Sequence, residues 1–285
     1  MSERFVFEPG DRAPAVLGVI NGARRRLILS LFRCDDFAIL DALASALERG
    51  VEVSVLLTPR AKGWTKRLKE LWRVLEGMGA KLWRYADPVV KYHAKYIVAD
   101  RGPALVASLN FTRKCFTRTC DFLLVTDDRP VVDGLQRLFE RDCGDTGASL
   151  PTHLRERLIV APEHARSAMT AALSSARRSI RVVDPRLTDP AVLDLLKAKR
   201  EAGVDVTVLG DEGLHGLHGL APHGKMILVD GRTGLLGSLS LSALSLDFRR
   251  EVAVVIRDRE CLRQMNEVFE ALAGRDPAAG GSALT

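Results

Sequence analysis

The chain has 285 residues, enough for one large domain or two small ones and, in either case, a sizeable core. Hydrophobic residues at 47% and charged residues at 27% are those of a soluble globular protein and exclude a disordered one. A net charge of +6 favours polyanionic partners such as nucleic acid or an acidic lipid surface.

Taken in order, the chain reads as a unit written twice. A short strand at 5–7 leads into a helix opened by Pro9, a residue tolerated in a first helical turn. An aliphatic strand at 27–31 follows, then an amphipathic helix at 37–49 capped by Asp36 and ended by Gly50. A second buried strand at 51–57 precedes a long connection with a helix at 62–78. There Trp64, Leu68, Leu71, Trp72, Leu75 and Met78 recur at helical spacing. Strands around 96–98 and 122–126 and a helix at 131–141 close the unit. The second unit begins with Leu158–Ala161 and a helix opened by Pro162. It continues with a strand at 180–183, a helix at 191–202 between Asp189 and Gly203, and a strand at 204–209. Strands at 226–229 and 252–256 and a helix at 260–273 complete it. This alternation predicts an α/β fold of two pseudo-symmetric layered halves, each a mixed sheet flanked by helices, with the active site at their interface. We expect the first half at 1–142, a joint at 143–157, the second half at 158–273 and a loose tail at 274–285.

Early segments repeat at an interval of 153, as in Gly50-Val51-Glu52-Val53 and Gly203-Val204-Asp205-Val206. By the polar motifs the interval has fallen to 130, so the second unit lacks 23 residues of the long connection. Between Pro59 and Arg84 that connection holds eight Lys or Arg, two Glu and all three tryptophans. The apolar stripe is expected to pack on the sheet. Lys66, Arg67 and Arg73 are candidates for a basic lip that guides a polyanionic substrate, or for a membrane-surface helix with tryptophans at the interface.

The polar motifs are Tyr92-His93-Ala94-Lys95 with Asp100, Ser108 and Asn110, and Pro222-His223-Gly224-Lys225 with Asp230, Ser238 and Ser240. His, Lys, Asp and Ser all recur at the interval of 130. The pattern resembles the phospholipase D superfamily, whose signature H-x-K-x4-D-x6-G-S-x-N occurs in two copies. Ala107 stands in place of the first Gly, and Ser240 in place of the second Asn. The resemblance implies a phosphodiester hydrolase or transferase acting through a phospho-histidine, on a phospholipid as in bacterial phospholipases D and cardiolipin or phosphatidylserine synthases. A nuclease acting on DNA or RNA and a non-catalytic phosphate-binding module are the alternatives. By that resemblance His93 is the nucleophile and His223 the general acid/base, although the symmetry of the repeat alone does not decide between them.

The chemistry fits these residue types. Two histidines supply a nucleophile and an acid, and Lys95 and Lys225 neutralise phosphoryl oxygens with help from Ser108, Asn110, Ser238 and Ser240. Asp121 follows His93, and Glu251 follows His223, by the same 28 residues. Carboxylates at this interval in the family accept a hydrogen bond from the imidazole and so support it from behind. Asp100 and Asp230 are grouped with these supporting acids, although ends of strands suit them to organising turns or pairing with basic residues.

The scheme needs no cofactor and no metal. His215, His218 and His223 have a metal-like spacing, but their glycine-rich setting lacks a supporting Cys or carboxylate. Five cysteines without a C-x-x-C pair suggest a reducing compartment and no disulfide framework, with Cys115 and Cys120 as buried apolar groups. The charged start Met-Ser-Glu-Arg and the lack of a long apolar run predict a cytoplasmic protein, peripheral at a membrane if it meets one. With both half-sites in one chain, a monomer is expected.

Overall fold

Aliphatic runs too short to be helices become the centres of two mixed sheets. The computed structural model describes residues 3–144, 151–210 and 219–274. The first half runs β1 (Glu3–Val6), α1 (Pro9–Gly22), β2 (Arg26–Leu31), α2 (Phe37–Glu48), β3 (Glu52–Leu57), α3 (Thr65–Gly77), β4 (Lys81–Arg84). It continues β5 (Lys91–Tyr92), β6 (Tyr96–Ala99), β7 (Ala104–Ala107), α4 (Arg113–Thr117), β8 (Thr119–Cys120), β9 (Leu123–Thr126), α5 (Arg129–Asp142). The second half runs α6 (Thr152–Arg155), β10 (Leu158–Ala161), α7 (Ala165–Ser174), β11 (Ser179–Val183), α8 (Pro190–Glu201), β12 (Asp205–Leu209). It ends β13 (Ala221–Pro222), β14 (Met226–Val229), β15 (Thr233–Gly237), α9 (Ala243–Phe248), β16 (Arg249–Ile256), α10 (Arg259–Leu272).

The first sheet has the order β1-β9-β7-β6-β2-β3-β4, the second β10-β16-β15-β14-β11-β12. These are the same order, except that among the described residues nothing in the second answers β4. The extra residues of the first half are therefore α3 and the edge strand that follows it. In each sheet the strand after the first long helix (β2, β11) is an interior strand. It pairs in parallel with the next strand through a helical crossover and antiparallel with the motif strand.

Two apolar clusters lie on the outer faces, one under α1 and α2, the other under α7 and α8. A third lies between the sheets and draws on both halves. Phe5, Phe122 and Phe139 meet Val160, Val252 and Phe269 there, with α5 and α10 filling the layer. The halves thus share one core, and folding either alone would expose it. Arg157 fastens the joint, donating to Asp128 and Glu3 at 2.5 Å each and to the Val255 carbonyl at 2.9 Å.

Two expectations are corrected. Pro162 does not open a helix: it follows a cis peptide bond in a turn, and α7 starts only at Ala165. The connection helix starts at Thr65, not at 62. Leu68, Leu71 and Leu75 of α3 are buried, while Trp64 and Trp72 are half-buried and capped by arginines. The stretch 145–150, the tail from 275, and His215 and His218 lie outside the described residues.

Candidate active site

The two short strands just ahead of the motif histidines pair with the opposite half. β5 pairs in parallel with the start of β16, and the His93 amide continues the ladder by donating to the Arg250 carbonyl at 2.9 Å. β13 pairs with β8, and the Gly224 amide donates to the Cys120 carbonyl at 2.6 Å. This crossing explains why the second motif has glycine where the first has Ala94. A Cβ on Gly224 would fall 2.7 Å from the Cys120 oxygen and from the Phe122 ring.

The crossing also decides which acid serves which histidine. His223 Nδ1 sits 2.9 and 3.0 Å from the two oxygens of Asp121. His93 Nδ1 lies 2.8 Å from Glu251 Oε1, a short contact not yet aligned as a hydrogen bond. Each imidazole is therefore backed by a buried carboxylate from the other half, which leaves Nε2 as the nitrogen free for chemistry. Burial works to raise the pKa of both acids. Against burial, the imidazole facing each acid and the hydroxyls that donate to it, Ser108 and Thr119 to Asp121 and Ser245 to Glu251, hold both below the ordinary carboxylate value.

The lysines complete the centre. Lys95 is fully buried and Lys225 nearly so. Each Nζ donates to the carbonyl of the histidine two residues earlier, at 2.5 and 2.6 Å. Burial drives the Lys95 pKa well below its usual value, with Glu251 opposing. Burial and Lys95 push His93 down to about 3, against the pull of Glu251, so its imidazole is neutral at pH 7. His223 is lowered as well, by burial first, with Asp121 opposing. It is the more open ring, with 28% of its side chain exposed against 18% for His93. Both rings feel both lysines, so the four groups form one electrostatic site.

The serines are placed otherwise than expected. Ser108 gives its single hydroxyl proton to Asp121 Oδ1 at 2.6 Å, and Thr119 donates to the other oxygen at 2.5 Å. Ser238 contacts the Val252 backbone. Ser240 is committed to Asp184, its hydroxyl lying 2.9 and 3.0 Å from the two carboxylate oxygens. A hydroxyl has one proton to give, so Ser108 and Ser240 serve carboxylates rather than a phosphate. Asn110 differs: its buried amide makes no hydrogen bond among the described residues, and its Oδ1 is without a partner. Glu251 receives the Ser245 hydroxyl at 2.7 Å, a contact the motif does not announce.

Asp100 and Asp230 stand apart from this centre. Both adopt left-handed backbone, with φ of 48° and 54°. Their carboxylates accept the backbone N–H groups of Arg24, Arg25 and Arg26, and of Arg177, Arg178 and Ser179. They fix the entry of β2 and of β11 and do not support the histidines. Of the basic lip, Arg67 pairs with Asp35 at 3.3 Å, whereas Lys66 and Arg73 are exposed on α3.

Sequence reasoning missed Arg12. It is fully buried, and its guanidinium donates to the carbonyls of Phe7, Cys115 and Thr119, which fixes the segment leading to Asp121. The signal was there: Arg12 falls on the stripe of Ala15, Val16, Val19 and Ile20, where an apolar side chain belongs. Cys115, Asp121 and His223 bring ligand atoms within 4.8 Å of one another. Asp121 already accepts from Ser108, Thr119 and His223, and the Arg12 and Lys225 cations are felt there. This donor set fits a proton better than a dication.

Comparison with known proteins agrees with this geometry. The family model described as "Cardiolipin synthase, PLD-like domain" matches residues 16–143 and 215–273, one match on each motif. Cardiolipin synthase A of Pseudomonas aeruginosa is 30% identical over 131 residues, 45% of this chain and 26% of that protein. Its counterpart from Pectobacterium carotovorum is 27% identical over 121 residues, 40% of this chain and 24% of that protein. The matched region is thus about a quarter of the length of these relatives. Among solved structures, a polyphosphate kinase from Porphyromonas gingivalis superposes with a TM-score of 0.77 at 20% identity, covering 94% of this chain and 46% of that one. Phosphatidylserine synthase from Haemophilus influenzae gives 0.72 at 12% identity, covering 95% and 85%. At such identities these two speak for the fold alone. Among the described residues no helix is long and apolar enough to cross a membrane. With a family model that matches well over half of the chain, the chain belongs to the phospholipase D-like family of the cardiolipin synthase domain.

Proposed function

We propose that the protein transfers or hydrolyses a phosphodiester, with a phospholipid as substrate, through a phospho-histidine on His93. The observation that carries this reading is the pair of crossed imidazole–carboxylate contacts around two buried lysines. His93 is neutral and its Nε2 is free, so it attacks phosphorus as the nucleophile. The P–O bond to the leaving group breaks, and protonated His223 gives the departing oxygen its proton. An alcohol or water then loses its proton to His223 and attacks the phosphorus, releasing His93. Throughout, Lys95, Lys225 and the Asn110 amide bear the charge on the non-bridging oxygens. The bound phosphate is itself an anion and favours the protonated state of His223 that burial alone disfavours.

A phospholipid is favoured because the relatives matched in sequence are named cardiolipin synthases. The basic connection also suits nucleic acid, and that reading is tested alongside. Purified protein would be offered mixed phospholipids with a primary alcohol, and separately plasmid and single-stranded DNA, with His93→Asn as control. Head-group exchange or hydrolysis that vanishes in His93→Asn, with a phospho-histidine trapped on the unmodified protein, is the expected result. DNA nicking that vanishes instead would make the protein a nuclease. Turnover of neither would leave a phosphate-binding module.

A further inference from the structure

Beside the nucleophile lies a cation that the reaction above does not use. Phe32 packs edge-on against the His93 ring, with centroids 4.5 Å apart, and Lys95 Nζ lies 5.0 Å from the centre of the Phe32 ring. On Phe32, and on the ring of Trp64, sits the guanidinium of Arg33, at 5.1 and 5.4 Å. Arg33 cannot be farther from the imidazole than the two centroid distances across Phe32 combined, so one small ligand can span the two.

Two facts make Arg33 unlike the neighbouring basic residues. The first is the absence of a counter-ion. Arg67, on the same tryptophan, is matched by Asp35, but among the described residues Arg33 meets no carboxylate. One terminal nitrogen donates to the Lys62 carbonyl at 2.9 Å, and Nε is buried without a partner. Burial accordingly pulls its pKa below that of an ordinary arginine. A half-buried cation left uncompensated costs stability, and an arriving anion would relieve that cost.

The second fact is asymmetry. The repeat places Arg186 opposite Arg33, but Pro185 replaces Phe32, and the second half lacks the connection that carries Trp64. Arg186 is exposed. The stack therefore marks one side of the centre, the side of the nucleophile.

We propose that Arg33, lodged between Phe32 and Trp64, binds a second anionic group of phosphate type on the substrate. The inference rests on the phosphodiester reading for its first anion, which sits between Lys95 and Lys225. The flat fork matches two phosphate oxygens at once, and the rings keep it from turning away.

Propane-1,3-diol bisphosphate and propyl phosphate would be titrated calorimetrically into the unmodified protein, Arg33→Met, Arg33→Lys and Arg186→Met, at one ionic strength. Thermal melts would confirm that each is folded. The unmodified protein and Arg186→Met should bind the bisphosphate about tenfold more tightly than the monophosphate, an advantage typical of one added charge-assisted contact. Arg33→Met should bring the ratio down to the roughly twofold expected from having two equivalent ends. Arg33→Lys, with its charge but not its fork, should fall between. A ratio near two in the unmodified protein, or one left untouched in both Arg33 variants, overturns the proposal. These titrations need no turnover, so a failure of the phosphodiester chemistry and a failure of the second site would be told apart.

Discussion

Glu251 Oε1 lies 2.8 Å from His93 Nδ1, although the two residues belong to opposite halves of the chain. The same exchange joins Asp121 to His223, so neither half can assemble a supported imidazole by itself. Glu251→Gln should act on the nucleophile and Asp121→Asn on the acid. For a carboxylate that fixes a ring tautomer, the expected loss in kcat lies between about 10²- and 10⁴-fold. An activated leaving group separates the two. With a p-nitrophenyl phosphodiester, departure needs little protonation, so Asp121→Asn should recover much of its activity and Glu251→Gln should not. Equal recovery in both would mean that the roles of the two histidines have been assigned wrongly.

The histidines also predict how stability changes with pH. Both have native pKa values below the ordinary 6.5, and that of His93 is near 3. Below 6.5 the unfolded chain therefore binds protons that the native chain does not, and stability falls as pH drops from about 6.5 toward 3. Asp121 and Glu251, whose native values are depressed, add a loss of the same sign in the lower part of that range. Urea midpoints should decline steadily between pH 7 and pH 4, and less steeply in His93→Asn. A flat profile across that interval would show that burial does not keep the imidazole neutral.

The repeated strands and capped helices could be read from the sequence because each is a local pattern, and the second copy checked the first. The crossing could not. Asp121 and Glu251 follow their own histidines by identical intervals, which ties each acid to the histidine it follows, whereas the structure gives each to the other. The answer lies in the pairing of β5 with β16 and β13 with β8, strands of two residues without a pattern of their own. Asp184 is a different case. The repeat sets it against Leu31, and a carboxylate at the end of a buried strand signals a polar partner, which is Ser240. The exchange of Asn for Ser in the second motif thus accompanies a new acid elsewhere.

That pairing separates the serines by experiment. Ser108→Ala removes a donor from Asp121, the acid behind His223, and should lower kcat about tenfold with little change in KM. Ser240→Ala leaves Asp184 buried with one donor fewer and should destabilise the fold by about 1–3 kcal/mol. Asn110→Ala should weaken binding of inorganic phosphate itself. If Ser108→Ala raised KM and spared kcat, its hydroxyl would be turning to the substrate during the reaction.

The exposed basic face of α3 supplies the last test. Lys66 and Arg73 are open to solvent, and Arg67 stands at the outer end of the stack that leads through Trp64 and Arg33 to His93. Charges so placed act at long range on an approaching polyanion and are screened over about 8–10 Å at physiological salt. Changing all three to Glu shifts the charge of this face by six units. At low salt the substrate KM should rise several-fold with kcat preserved, and the gap from the unmodified protein should close as salt is added. Identical KM values at both ionic strengths would reduce α3 to packing, its Leu68, Leu71 and Leu75 covering the sheet and its charges serving only solubility.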